Sequence, residues 1–233
     1  MMKIVIIYFC MTIFSFVNGQ NFEVTYKVKL RSEIHEMYYK LIIDGDNSDF
    51  FLITKKNELA DNLGIKTDKR INTCRRKDSL FIISNEVDFY LKAILPQKIQ
   101  WEIQKENSNI VENNFNLHEA ISIYNDKKVK AFFIKDINLP EGPFIFKGLP
   151  GLIYSIENEN YSFQLVEIKK GNESVLKFPK NKIKIISLEK YKEYRKQMKI
   201  KEGKMLNEVI KLLDMKDAKA SDFSVDEPLI QIL

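Results

Sequence analysis

From Phe22 onward apolar and polar residues alternate. Phe22, Val24, Tyr26, Val28 and Leu30 fall on one face, and Glu23, Thr25, Lys27 and Lys29 on the other. This period of two predicts a half-buried strand. Apolar runs at Met37–Ile43 and Phe50–Thr54 flank Asp44-Gly45-Asp46-Asn47, and a Gly/Asx cluster between two such runs predicts a hairpin. Asn57 to Cys74 is polar and irregular, which predicts a long loop or a short helix. Strand patterns return at Leu80–Ser84, Phe89–Ile94 and Ile99–Gln104. Phe115–Tyr124 and Val129–Ile134 follow, joined by Asn125-Asp126-Lys127. Leu152–Ile156 and Tyr161–Lys169 are joined by Asn158-Glu159-Asn160, and Lys182–Ile186 is the last strand pattern. Roughly ten short strands without alternating helices predict an antiparallel sheet rather than βαβ units. A sheet of that size is expected to curl into a half-barrel or sandwich.

The period changes at Ser187, a good helix N-cap. Leu188, Tyr191, Tyr194 and Met198 recur at helical spacing, and Gly203 is expected to break the helix before Leu206, Val209, Ile210 and Leu213. Lys190, Lys192, Arg195, Lys196, Lys199, Lys201 and Lys204 line the polar face. This reads as the solvated side of a helix packed on the sheet, with an anionic membrane surface as the alternative. The resulting organisation is a leader at 1–19, an antiparallel β domain at 20–187, a helical segment at 188–215 and a flexible tail at 216–233. The expected class is mainly β, with a curved antiparallel sheet and a C-terminal amphipathic helical segment.

The leader reading comes from Lys3, the apolar run from Ile4 to Val17, and Val17 and Gly19 at the −3 and −1 positions of a cleavage site. The run is shorter than the ~20 residues that cross a bilayer. Cleavage near Gly19 would leave Gln20 or Asn21 first. The expected location is therefore periplasmic, outer-membrane-associated or secreted. Cys10 sits in a context unlike a lipoprotein site. The 37 basic and 32 acidic residues give +5, or +4 once Lys3 is removed. That excess is too small and too spread to argue for nucleic acid. Beyond the leader Cys74 is alone, so no internal disulfide forms. Asn160 and Asn172 begin formal glycosylation sequons.

Enzyme motifs are missing: there is no nucleophile elbow, zinc-binding His-Glu helix, phosphate loop or dinucleotide fingerprint. With only His35 and His118, a multi-histidine metal site is excluded. His118 and Glu119 are neighbours on a strand and point to opposite faces. Cys74 begins the run Cys74-Arg75-Arg76-Lys77, whose charges would lower the thiol pKa; it reads first as a solitary, incidental cysteine, with a reactive thiol as the alternative. Glu33/Glu36 and Glu157/Glu159 are carboxylate pairs that read as surface charge. No catalytic, cofactor-binding or metal-ligating residue is assigned. Tyr38, Tyr39, Phe50, Phe51, Phe81, Phe89, Tyr90, Trp101, Phe132, Phe133, Phe144 and Phe146 read mainly as core. A curled sheet could also turn some of these rings towards an apolar ligand.

The most distinctive stretch runs from Gly142-Pro143-Phe144 through Lys147 to Gly148-Leu149-Pro150-Gly151-Leu152-Ile153. Pro150-Gly151 predicts a type II turn with Gly151 at positive φ, and Gly148 is a second position intolerant of a Cβ. Leu149, Leu152 and Ile153 would anchor the turn in the core. An anion or peptide-end site on exposed backbone amides is the functional alternative.

The run from Gly148 to Ile153 resembles the motif that names the GLPGLI family of exported proteins, found mainly in Bacteroidetes. The similarity extends to Trp101-Glu102-Ile103, Ala131-Phe132-Phe133, Glu141-Gly142-Pro143 and the hairpin from Leu152 to Ile168. It covers about Phe22 to Lys190. Two departures are Phe132-Phe133, where the family often has Trp-Tyr, and Leu117, where it often has cysteine. The latter suggests a core-facing position. The family's activity is uncharacterised, so the resemblance implies export and fold rather than chemistry. The expected function is a binding module for a periplasmic or outer-membrane protein, a peptide or an apolar ligand. The alternative is a secreted hydrolase using Cys74 or the acidic loop before Pro143.

Overall fold

The structure, a computed structural model, describes residues 21–31, 36–53, 71–86, 88–95, 99–104, 110–212, 229 and 232. The expected leader, most of the Asn57–Cys74 stretch, Glu33 and His35 lie outside the described residues, as do the side chains of Leu206, Val209 and Ile210.

The described strands are β1 (Asn21–Leu30), β2 (Met37–Asp44), β3 (Asn47–Leu52), β4 (Ile71–Arg76), β5 (Ser79–Asn85), β6 (Tyr90–Ile94) and β7 (Glu102–Ile103). They continue as β8 (Ile110–Glu112), β9 (Phe115–Tyr124), β10 (Lys127–Ile134), β11 (Leu152–Glu157), β12 (Tyr161–Gly171) and β13 (Ile183–Ile186). One helix, α1 (Leu188–Leu212), follows. All the strands join one sheet in the order β13-β6-β5-β4-β3-β2-β1-β12-β11-β10-β9-β7, with β8 also on β9. The sheet is large, curled and open, and the class is mainly β with a C-terminal helix.

Short Asx-rich turns make this meander. Asn125 and Asp126 both have positive φ (50° and 59°), as do Asn113 and Asn114 (51° and 67°). Paired left-handed residues twist a two-residue hairpin in the same sense as its strands. β1 is central: β2, the next strand in the chain, pairs on one edge, and β12, distant in sequence, on the other.

Three expectations change. Ile71–Arg76 is a strand rather than part of the polar loop. It lies between β3 and β5 and buries Asn72 and Thr73, so burial on both faces overrides its polar composition. β13 pairs parallel with β6, the one exception among the pairs of described strands; the intervening chain is long enough for the crossover a parallel pair needs. The helix runs through Gly203 unbroken. A glycine in a helix interior costs only about 1 kcal/mol, and 25 residues absorb it. Ser187 caps the helix as expected, its Oγ accepting the Lys190 N–H at 3.3 Å.

The concave face holds the main core. Tyr26, Tyr39, Phe50, Phe133, Phe144, Phe146 and Phe163 are fully buried there, and Tyr39 stacks on Phe50 at 5.0 Å. The first turns of α1 close one side with Tyr191, Leu188 and Tyr194. Leu229 and Ile232, the described residues of the expected tail, are also buried in this core. No helix among the described residues is long and apolar enough to cross a membrane.

Candidate functional site

Residues 135–151 leave β10 and fold across the concave face before β11 begins. Their backbone groups are satisfied locally. Glu141 N–H donates to the Leu139 carbonyl, Phe146 N–H to Pro143, and Gly148 N–H to Pro140 at 3.2 Å. Leu152 and Ile153 N–H return to the Ile137 and Glu141 carbonyls at 3.1 and 3.0 Å. The side chains of Phe144, Phe146, Leu149, Leu152 and Ile153 all point into the core. A segment with this many buried apolar residues cannot detach without exposing several kcal/mol of hydrophobic surface.

The glycines act differently from the sequence expectation. Gly151 does not have positive φ; the left-handed glycine of the motif is Gly148, at +92°, and it is exposed. Gly151 is required for another reason. An added Cβ would overlap the Ile134 carbonyl and come within 2.8 Å of its carbon. Gly142 is similarly pressed, with a Cβ falling 2.6 Å from Ile153 Cδ1. Pro143 is buried and Pro150 exposed. Phe144, rather than a glycine, adopts positive φ (53°), a strained state that the full burial of its ring maintains.

Beneath the motif lies a buried group of charges. Glu141 is 1% exposed and Lys147 9%. Lys147 Nζ donates to Glu141 Oε2 at 2.6 Å, to Ser48 Oγ at 3.1 Å and to the Gly142 carbonyl at 3.2 Å. Ser48 Oγ donates to Glu141 Oε2 at 2.9 Å, and the Arg75 guanidinium pairs with Glu141 Oε1. Burial works to raise the Glu141 pKa, but the Lys147 and Arg75 charges and the bonds from Lys147 and Ser48 outweigh it. The carboxyl is held below its ordinary value and stays ionised. Close by, Tyr26 donates to the Ile153 carbonyl at 2.5 Å, and its phenol pKa is pushed up by burial and by the Glu141 charge.

The family-like residues divide between two faces. Trp101 comes to the motif: its indole N–H donates to the Lys147 carbonyl at 3.0 Å and its ring lies 6.5 Å from Phe146. Phe133 is core, opposite Ile153 in register. Phe132 is half-buried on the other side of the sheet, with Lys130 Nζ 5.7 Å from its ring. Leu117 is buried, as a core-facing position requires. Sequence reasoning missed Ser48, Arg75 and Lys147. The available signal was Lys147 itself, a lone cation in an apolar run six residues after Glu141.

The proposed reactive groups are sealed. Cys74 is fully buried, and its pKa is raised by burial and by the charge and hydrogen bond of Asp49, against the smaller influence of Arg76 and Lys147. The lowering of the thiol pKa expected from the flanking charges is therefore overturned: strand alternation turns Arg75 to the opposite face, and desolvation dominates. The acid of the loop before Pro143 is Glu141, already matched by two cations. Glu157 and Glu159 sit at the β11–β12 end, where Glu159 pairs with Lys127 at 2.6 Å and Glu157 lies 3.7 Å from Lys130. Among the described residues, no three His, Cys, Asp or Glu side chains converge on a metal-sized position.

No family model matches the chain, and no curated protein matches it. Among solved structures it is similar to PNGF-II. In the C2 crystal form the TM-score is 0.56 at 16% identity, covering 75% of this chain and 32% of that one. In the P21 form the TM-score is 0.56 at 16% identity, covering 76% and 33%. The chain thus spans about a third of the length of PNGF-II. At this identity the likeness shows the fold alone.

Proposed function

We propose that this protein is an exported member of the GLPGLI family, a periplasmic or outer-membrane-associated β module that binds a partner protein or an apolar ligand. The observation that carries the reading is the treatment of the motif's ionisable groups. Glu141 and Lys147 neutralise each other inside the fold, with Arg75 and Ser48 completing the set. Groups so engaged serve to hold a surface in shape, since general acid–base work needs a group within reach of a substrate. A secreted hydrolase would instead need Cys74 or Glu141 released to solvent.

The test is capture from the native cell envelope after mild crosslinking, with N-terminal sequencing of the captured chain. The expected result is a mature start near Gln20 or Asn21 and a stoichiometric partner, both unchanged by Cys74→Ser. A cytosolic chain that retains residues 1–19, or hydrolytic turnover abolished by Cys74→Ser in a folded protein, would overturn the reading.

A further inference from the structure

On the convex face of the sheet, away from the motif, β4, β5 and β6 form the floor of a pocket of about 240 Å³. Cys74 packs with Phe81 and Ile83 on this face, apart from the main core. Strand alternation puts Asn72 and Asn85 on it as well. Asn72 stands opposite Ile83 in register, and Asn85 opposite Tyr90. The chain between β12 and β13 supplies the wall, where Leu176 and Phe178 line the pocket. The Phe178 ring meets the Tyr90 ring edge-on at 5.3 Å. Leu176 is held through both of its backbone groups: its N–H donates to Asp49 at 2.6 Å, and its carbonyl accepts from the Arg76 guanidinium at 2.9 Å. A wall fixed in this way removes an ordering cost from binding.

Asn72 is 3% exposed, lines the pocket, and has no hydrogen-bond partner for its Oδ1 among the described residues. β4 lies inside the sheet, where asparagine packs poorly, and an unmatched buried acceptor is destabilising. Leucine has nearly the same shape and would fill the position without that penalty. Packing therefore does not account for the amide, and a buried polar group left unmatched calls for another reason. Around it Ile83, Tyr90 and Phe178 are apolar, while Asn85, Lys177 and Leu176 lie on the exposed rim. A charged group placed beside Asn72 would lose its water without gaining a counter-charge. The inner end of an occupant is thus neutral and donates a hydrogen bond. The volume lies below the roughly 300–1,000 Å³ of pockets for drug-sized ligands, which limits the occupant to about one ring.

We propose that this pocket binds a small molecule built on a single apolar ring with a neutral hydroxyl or amide N–H. Its donor bonds to Asn72 Oδ1, and its ring packs on Ile83, Tyr90 and Phe178. Solvent can also serve the Asn72 oxygen. A ring that donates in its place takes apolar wall out of water at the same time, and this gain favours the ligand. The proposal gives the apolar ligand of the binding reading above a place and a chemistry, and rests on that reading.

The titrant is p-cresol, followed by heteronuclear NMR of the isotope-labelled full chain. A Kd on the order of mM is expected for a molecule of this size, with shifts at the Asn72 side-chain amide and the Leu176 N–H. The comparison is p-methylanisole, which keeps the ring but cannot donate; it binds about fivefold more weakly, the worth of one hydrogen bond. Asn72→Leu makes the two titrants equal and leaves the thermal midpoint unchanged or higher. Equal binding of both by the native chain, a preference for p-cresol that survives Asn72→Leu, or no saturable binding overturns the proposal. Should Asn72→Leu fail to fold, Leu176→Ala takes its place: it opens the wall and weakens p-cresol severalfold, and unchanged binding rejects the site. Failure of p-cresol to bind a folded chain that still captures an envelope protein removes this pocket and leaves the module reading intact. A cytosolic chain that binds p-cresol does the opposite.

Discussion

Two neighbouring carboxylate groups sit on opposite faces of the same pair of strands. On β3 and β4, Ser48 pairs with Arg75 in register and Asp49 with Cys74. Ser48 and Arg75 point to the concave side and meet Glu141 and Lys147 of the motif segment. Asp49 and Cys74 point to the convex side. There Asp49 is 2.8 Å from the Arg76 guanidinium and accepts the Leu176 N–H at 2.6 Å. Cys74 packs with Phe81 and Ile83, against Phe178 and Tyr90. The inner group fastens a long excursion of the chain to a hairpin about ninety residues away. The outer group fastens the connection after β12. The inner carboxylate has two cations, the largely buried Lys147 and the partly exposed Arg75, whereas the equally buried Asp49 has one, the partly exposed Arg76. The two groups should therefore differ in how much stability depends on them. A buried ion set is costly to break because it strands a charge, even when forming it gains little.

The largest effect is expected from Glu141→Ala, which leaves Lys147 buried without its carboxylate. Urea unfolding should show a loss of about 3–5 kcal/mol; a loss under 1 kcal/mol would mean that water or another acid reaches Lys147. Gly151→Val comes next. It forces a side chain into the Ile134 carbonyl, and the same measurement should show a loss of roughly 3 kcal/mol. An unchanged thermal midpoint would refute the close approach. Asp49→Asn keeps the shape and removes the charge on the outer face, where Arg76 retains solvent, so a loss of about 1–2 kcal/mol is expected. A loss equal to that of Glu141→Ala would erase the distinction between the faces. The smallest effect is acid sensitivity. A carboxyl whose folded pKa is depressed stabilises the fold above its unfolded value, near 4.5, and that contribution is lost as pH falls through the lower folded value. Thermal midpoints should therefore fall below about pH 4.5, and Glu141→Gln should flatten this slope.

Most of the strands were legible because the chain alternates wherever one face is buried and carries Asx or Gly where it turns. β9 and β10 begin and end close to where Phe115–Tyr124 and Val129–Ile134 place them. β4 was illegible for the converse reason: Ile71-Asn72-Thr73-Cys74-Arg75-Arg76 has too few apolar residues to alternate visibly. Its polar groups are paired by strands on both sides, which local sequence does not reveal. The motif was conspicuous, and its inward anchors Leu149, Leu152 and Ile153 are where they were expected. The need for glycine at position 151 was correct in effect but had a different origin. A turn preference is local, whereas contact with the Ile134 carbonyl requires β10 to lie alongside.

By itself, the chain's ordering of apolar and polar residues determined a curled, mostly antiparallel sheet with a capped helix after it, because periods of two and 3.6 are properties of the local backbone. Only the tertiary structure decided what the charged residues do. Arg75 and Arg76 are adjacent in the chain, yet one joins the Glu141–Lys147 set inside the curl and the other pairs with Asp49 outside it. The same alternation that predicts a strand separates its neighbours by the thickness of the sheet. Which distant groups then meet them depends on the order in which the strands assemble.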